Sequence, residues 1–261
     1  MKTYAIALVA LFVSGSAAAA NLPGCPAPIK VGQYGCCGFY GDSQSIDTAL
    51  FHELAARSGC SFRFIEMPRV RVWHELKEGT LDMTPRGINR DDRGDYSWFL
   101  PYLATKYLAV YRRSVASIDG PEAIEADDRL VIGVVRSFRH GVAIDALIDR
   151  IRAVAPQRIV EVADELSLIK LLKANRVNVI FAERYLADYA VGTVGVDDAA
   201  AVDIAPAEPP AARCLVLSKA RFGEEEMSKW RALMQAMLAD GTVDALLANR
   251  QRSVQGDTGQ R

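Results

Sequence analysis

The stretch GTLDMTPRGINRDDRGDYSWFLPY, residues 79–102, decides how this chain folds. Its first part, 81–84, reads as a short apolar strand behind an amphipathic helix that Gly79 terminates. A polar loop follows, carrying Arg86, Asn89, Arg90 and Arg93, and the aromatic run before Tyr102 opens a new strand. A strand that ends in an arginine-rich loop suits an anion such as a carboxylate. Guanidinium groups hold carboxylates through paired, charge-assisted hydrogen bonds, and α/β sheets bind ligands beyond the carboxyl ends of their strands. The plainer reading is a solvated loop in which Arg93 pairs with Asp91, Asp92 or Asp95.

Upstream, IKVGQY at 29–34 reads as a strand and 35–41 as a glycine-rich turn. Asp47 caps a helix over 48–58 whose Leu50, Phe51, Leu54 and Ala55 share one face. Residues 61–66 form a second strand, and Val72, Trp73 and Leu76 line the inner face of a short helix. Downstream, 103–112 reads as one long strand leading into a polar stretch. A second α/β block follows, with strands at 130–135, 159–162 and 177–181. Ile144, Leu147, Ile148 and Ile151 mark one of its helices, Leu168, Leu171 and Leu172 another, and 183–191 a third. An Ala/Pro-rich connector spans 199–212, then comes the strand CLVLSK and two closing helices, the first packed through Met227, Trp230, Met234 and Met237. Two blocks plus a leftover C-terminal part predict two α/β domains. If that part returns to the first block, 103–112 and 213–218 become crossover strands, and two crossovers over a polar cleft make a hinge.

The chain has 261 residues, half of them apolar and 24% charged, with a formal charge of −1. That is enough for one large core or two small ones. No basic face or run stands out, so nucleic acid is not an expected partner. Residues 1–20 carry a lysine, an apolar run and a small-residue cleavage site before Asn21, the pattern of a secretory signal peptide. Its removal leaves 30 basic and 32 acidic residues, net −2. A lipid anchor on Cys25 is the alternative, though that cysteine lies far from the apolar run. An exported protein meets an oxidising compartment. Cys25 and Cys60 each stand just upstream of an apolar strand, and if those strands are parallel neighbours the two sulfurs lie at one edge and can bond. Cys36, Cys37 and Cys214 complete an odd total, which leaves a free thiol or an intermolecular bond. With neither CxxC spacing nor a His pair, neither metal nor cofactor is expected. GDSQS lacks the final glycine of a nucleophile elbow, so Ser43 is no nucleophile.

In order and spacing, IKVG, LKEGTLD, GINRDDR, WFLPY, LVIGVV, LLKANRVNVIFAE and ADGTVDALL resemble the family 3 bacterial periplasmic solute-binding proteins, the receptors of polar amino-acid ABC transporters. The resemblance covers nearly all of the chain after residue 20. It implies a two-lobed type II periplasmic-binding fold, with lobe 1 from 21–106 and 213–261 and lobe 2 from 107–212. It also implies a periplasmic monomer that takes an amino acid or related carboxylate from solution and delivers it to an ABC permease. Arg93 matches the family's α-carboxylate arginine, and Gly87 and Asn89 match polar positions beside it. Glu183 matches the carboxylate that holds the ligand's ammonium. The turn Arg136-Ser137-Phe138-Arg139-His140-Gly141 corresponds to a helix start that receives an anion, and Tyr34, Phe39 and Tyr40 correspond to aromatic walls.

The sequence departs from that pattern in places. The arginine loop is one residue short, which leaves Arg90 as the alternative to Arg93, and Glu183 has a longer arm than the usual aspartate. Glu183 also reads as an ordinary carboxylate at a helix N-terminus. Arg136, Arg139 and His140, together with Arg86, make the predicted cleft positive and favour an acidic ligand. Two further functions fit the same scaffold: a partner that senses ligand for a membrane receptor, and a cyclohexadienyl dehydratase-like enzyme with Glu183 or Glu66 as its acid.

Overall fold

A computed structural model describes residues 25, 28–34, 46–89, 92–136, 138–194 and 198–248. Two five-stranded sheets of the same plan organise them. In the first, β1 (Ile29–Gln33) lies between β2 (Phe62–Glu66) and β3 (Met83–Gly87), all parallel. The crossovers are α1 (Ile46–Ser58) and α2 (Arg69–Lys77). A short α3 (Arg93–Tyr96) leads into β4 (Ser97–Thr105), at the sheet's edge. In the second sheet, β6 (Ile132–Val135) lies between β7 (Ile159–Val162) and β8 (Val179–Glu183), again parallel. The helices here are α4 (Pro121–Ala126), α5 (Val142–Val154), α6 (Glu165–Lys173) and α7 (Arg184–Val194).

Each sheet is completed by a strand that arrives from the other half. The chain leaves the first sheet at β4 and enters the second as β5 (Tyr107–Arg112), antiparallel to β8. It returns after the edge strand β9 (Ala199–Val202) as β10 (Ala211–Ser218), which sits between β3 and β4, antiparallel to both. Helix α8 (Glu224–Ala239) packs on the first sheet, where Met227, Trp230 and Met234 meet Ile29, Phe51 and Leu54, and after Gly241 the residues 242–248 are helical again, as expected.

The central strands β6 and β8 of the second sheet are covered on both faces and read as nearly unbroken apolar runs, while the edge strands β2 and β7 stay partly exposed. On the first sheet the face opposite α8 is covered by Val72, Trp73 and Leu76 of α2. On the second, Leu147 and Ile151 of α5 cover one face, and Leu168 and Leu172 of α6 with Leu186 of α7 cover the other. Helix starts follow local chemistry: the Asp164 carboxylate accepts from the Ser167 N–H at 2.8 Å, capping α6. Stops do too, with Gly79 and Asn175 in the left-handed region after α2 and α6. A disulfide joins Cys25 to Cys60 with Cα atoms 5.5 Å apart, tying the segment before β1 to the turn before β2.

Three expectations shift. The long strand over 103–112 is two strands in different sheets, because the chain passes between sheets at Lys106. The connector over 199–212 contains β9, whose AAAV sequence carries no alternating signal. The third strand begins at Met83 rather than residue 81, since the Asp82 carboxylate is drawn off to accept from the Lys30 N–H (2.7 Å) and from Arg221 Nε (2.7 Å).

Candidate functional site

The carboxyl ends of the parallel strands in the two sheets face one another across a gap. From the first lobe come Tyr34 after β1, Arg69 at the start of α2, and Arg86 near the end of β3. From the second come Tyr107, Phe138, Arg139, Glu165 at the start of α6, and Glu183 at the end of β8. Arg213, at the head of β10, closes the gap from the crossover.

Arg86 has φ 57°, a left-handed conformation uncommon for a residue with a side chain. Two anchors hold it there. Its Nε donates to Asp47 Oδ2 at 3.0 Å and its Nη2 to the Tyr34 carbonyl at 2.9 Å. Asp47 is wholly buried; burial pushes its carboxyl up to about 6, and the Arg86 guanidinium pulls the other way. Asp47 was expected to cap α1. It lies inside that helix instead, because Ile46 before it is already helical.

Arg69 reaches across the gap. Its guanidinium carbon lies 5.8 Å from the Tyr34 ring centre and 4.9 Å from that of Phe138 on the other lobe. Glu183 and Arg213 form an ion pair with side chains 5% and 4% exposed. Beyond that pairing, Glu183 Oε2 and Arg213 Nε have no hydrogen-bond partner among the described residues. Burial raises the Glu165 carboxyl, while Arg86, Arg213 and Arg69 pull it back in that order. Among the described lining residues, four arginines therefore face two glutamates. The gap holds only ≈30 Å³, on the scale of one water.

A cavity of ≈340 Å³ adjoins it and shares Ile88, Tyr107, Arg139 and Arg213. That volume falls in the range of small-molecule sites. One wall is His140, whose ring stands edge-on to Tyr107 at 4.9 Å, with Nδ1 3.4 Å from Asp145 Oδ1. Burial lowers its pKa, so the ring is neutral at pH 7. Another wall is the start of α5, where the Val142 and Ala143 N–H groups donate to the Glu208 carboxylate at 2.7 and 3.0 Å. The anion at this helix start is supplied by the chain itself.

The residues expected at the site divide. Glu183, Tyr34 and Arg139 line the gap; Arg139 and His140 line the adjoining ≈340 Å³ cavity. Arg93, expected opposite Glu183, does not line the gap; it lines a third cavity of ≈470 Å³ with Arg136, Phe138, Arg139 and His140. Its guanidinium lies 3.8 Å from the Trp73 ring centre and its Nη1 donates to the Ile88 carbonyl at 3.2 Å. Arg136 is exposed and sits 3.6 Å from Glu161. Asn89 is exposed in the loop after β3. Gly87 serves packing, since a Cβ there would come within 2.2 Å of Val216 Cγ2. Glu66 is exposed at the end of β2 and lines neither cavity. Ser137, Phe39, Tyr40 and Arg90 lie outside the described residues.

The sequence reading missed Arg69, Glu165, Arg213, Asp47 and Glu208 as site residues. Arg213 left one trace, a cation at the head of an otherwise apolar buried strand. Among the described residues, no group of His, Cys, Asp and Glu could hold a metal ion, and no helix is long and apolar enough to cross a membrane.

No protein-family model matches the chain, and no curated protein matches it. Solved structures do. An ancestral arginine-binding protein bound to glutamine superposes with a TM-score of 0.68 at 18% identity, over 86% of this chain and 97% of that one. The arginine-, lysine-, histidine-binding protein ArtJ from Geobacillus stearothermophilus gives 0.67 at 11% identity, over 85% and 94%. A histidine kinase sensor domain with similarity to periplasmic binding proteins gives 0.66 at 14%, over 85% and 94%. The chain thus has the two-lobed periplasmic-binding-protein fold, with its polar gap between the lobes.

Proposed function

We propose that this chain is a periplasmic solute-binding protein that captures a small carboxylate-bearing solute between its lobes and delivers it to an ABC permease. In this reading a signal peptide over 1–20 is removed on export. Lobe 1 is 21–106 with 213–261, lobe 2 is 107–212, and the protein works as a monomer without a cofactor. The observation that carries it is the convergence of Arg69, Arg86, Arg139 and Arg213 on one interlobe gap, beside a cavity of ligand size. Arg86, anchored by Asp47 and Tyr34, takes the carboxylate role that the sequence pattern gave to Arg93. Closure follows if the solute bridges groups on both lobes, because only then does it bind the closed form better than the open one.

The sensor-domain likeness supports a second reading, in which the same capture reports to a membrane receptor instead of a permease. A thermal-shift screen of amino acids and small carboxylates tests the capture common to both. A solute at a hundred times its Kd should add about 2.7 kcal/mol to stability, and Arg86→Met should weaken it at least tenfold. If no carboxylate of either kind shifts the melt at millimolar concentration, the proposal fails.

A further inference from the structure

We infer that the interlobe site selects a carboxylate anion without an ammonium group, best one with a hydroxyl in its place, and that Arg213 sets this selection. The inference rests on the solute-capture reading above and adds the class of solute. A zwitterionic amino acid needs two charged anchors, an unspent anion for its ammonium and a cation for its carboxylate. Glu183 is the acid at the strand end where that anion is expected, and its charge is already balanced by Arg213 at ion-pair distance, both side chains being nearly fully buried. The arginine is permanently charged, so an ammonium arriving at Glu183 meets a guanidinium in the same desolvated space. Repulsion between like charges there is screened far less than in water.

The atoms left over define the solute. Glu183 Oε2 is buried and lacks a hydrogen-bond partner among the described residues, so it accepts from a neutral donor, a hydroxyl. Arg213 Nε is buried and equally unpartnered, so it donates to an acceptor. With the Glu183–Arg213 pair set aside, Arg69, Arg86 and Arg139 face Glu165, with Asp47 behind Arg86. Guanidinium groups outnumber carboxylates among these described residues, surroundings that suit a carboxylate.

The test compares solutes that differ only at one carbon. Calorimetric titrations use lactate, propionate and alanine; malate, succinate and aspartate; and 2-hydroxyglutarate, glutarate and glutamate. In whichever series binds, the hydroxy acid should bind at least tenfold tighter than the amino acid, with the unsubstituted acid between them. Arg213→Met frees Glu183 and should bring the amino acid level with the hydroxy acid or ahead of it. An unpaired buried carboxylate is strongly destabilising, so the double variant Arg213→Met/Glu183→Gln is measured as well. It removes both charges together and should lose at least tenfold in hydroxy-acid affinity. An amino acid that binds the unaltered protein as tightly as its hydroxy counterpart overturns the inference and leaves the capture reading standing. Unchanged selectivity in a folded Arg213→Met protein overturns the role of Arg213. Absence of binding across all nine solutes overturns the capture reading and the inference with it.

Discussion

Asp47 is the residue whose ionisation the fold resists most clearly. Its carboxyl is buried with one oxygen on Arg86 and the other, Oδ1, without a hydrogen-bond partner among the described residues. A carboxyl that titrates near 6 instead of 3.8 still holds its proton in the folded protein after the unfolded chain has released it. Raising the pH from 3.8 through 6 therefore favours unfolding, by about 3 kcal/mol over the whole window. His140 acts oppositely: burial lowers its pKa, so its contribution is lost as pH falls below the ordinary value of 6.5. Comparison with Asp47→Asn cancels the histidine. Urea unfolding at pH 4 and pH 7 should show the parent losing about 2 kcal/mol relative to the variant as pH rises. A pH-independent difference would count against this account. Gly87 makes a separate prediction. With Val216 Cγ2 2.2 Å from an added Cβ, Gly87→Ala overpacks the contact between β3 and β10 and should cost about 1–3 kcal/mol in the same assay.

At the scale of elements, β6, β8 and the crossover helices were legible because burial writes itself as apolar runs in buried strands and 3.6-residue stripes on helices. What escaped is what local pattern cannot encode. Glu208 and the start of α5 are 66 residues apart, and no spacing rule joins them. Arg213 and Glu183 meet only because β10 crosses back into the first sheet beside the ends of β8. Asp47 reads as a cap from its neighbours and becomes a buried partner only once β3 brings Arg86 to it. Strand ends slid for similar reasons, as with β8, which runs on to Glu183 and sets that carboxylate in the sheet rather than on a helix. Two elements can be tested directly. Glu208→Ala leaves the first N–H groups of α5 to solvent and should cost about 1 kcal/mol. Opening the Cys25–Cys60 bridge with Cys60→Ser frees a 35-residue separation and should cost about 2–4 kcal/mol. Equal denaturant midpoints for parent and variant would refute either claim.

At the scale of the whole molecule, two sheets of one topology exchange a strand each, and the two crossings are pinned together. Lys106, at the outgoing crossing, donates to Asp203 Oδ2 at 2.8 Å and to the Ala205 and Pro206 carbonyls at 3.0 and 3.1 Å on the return. Farther into the gap, Arg213 with Glu183 and Arg69 on Phe138 draw the lobes together and leave it one water wide. A solute larger than that must part the Arg69–Phe138 contact, so its apparent affinity is reduced by the fraction of molecules already open. Phe138 is the place to test this, because removing its ring alters no charge. A guanidinium over an aromatic face contributes about 1 kcal/mol, and losing it raises the open population about fivefold. Ligand-free Phe138→Ala should therefore show a larger radius of gyration by solution scattering and a faster solute on-rate than the parent. The two proteins should coincide in size once a bound solute bridges the lobes. If scattering from the ligand-free proteins is superimposable and the on-rates agree, the Arg69–Phe138 contact does not hold the lobes together.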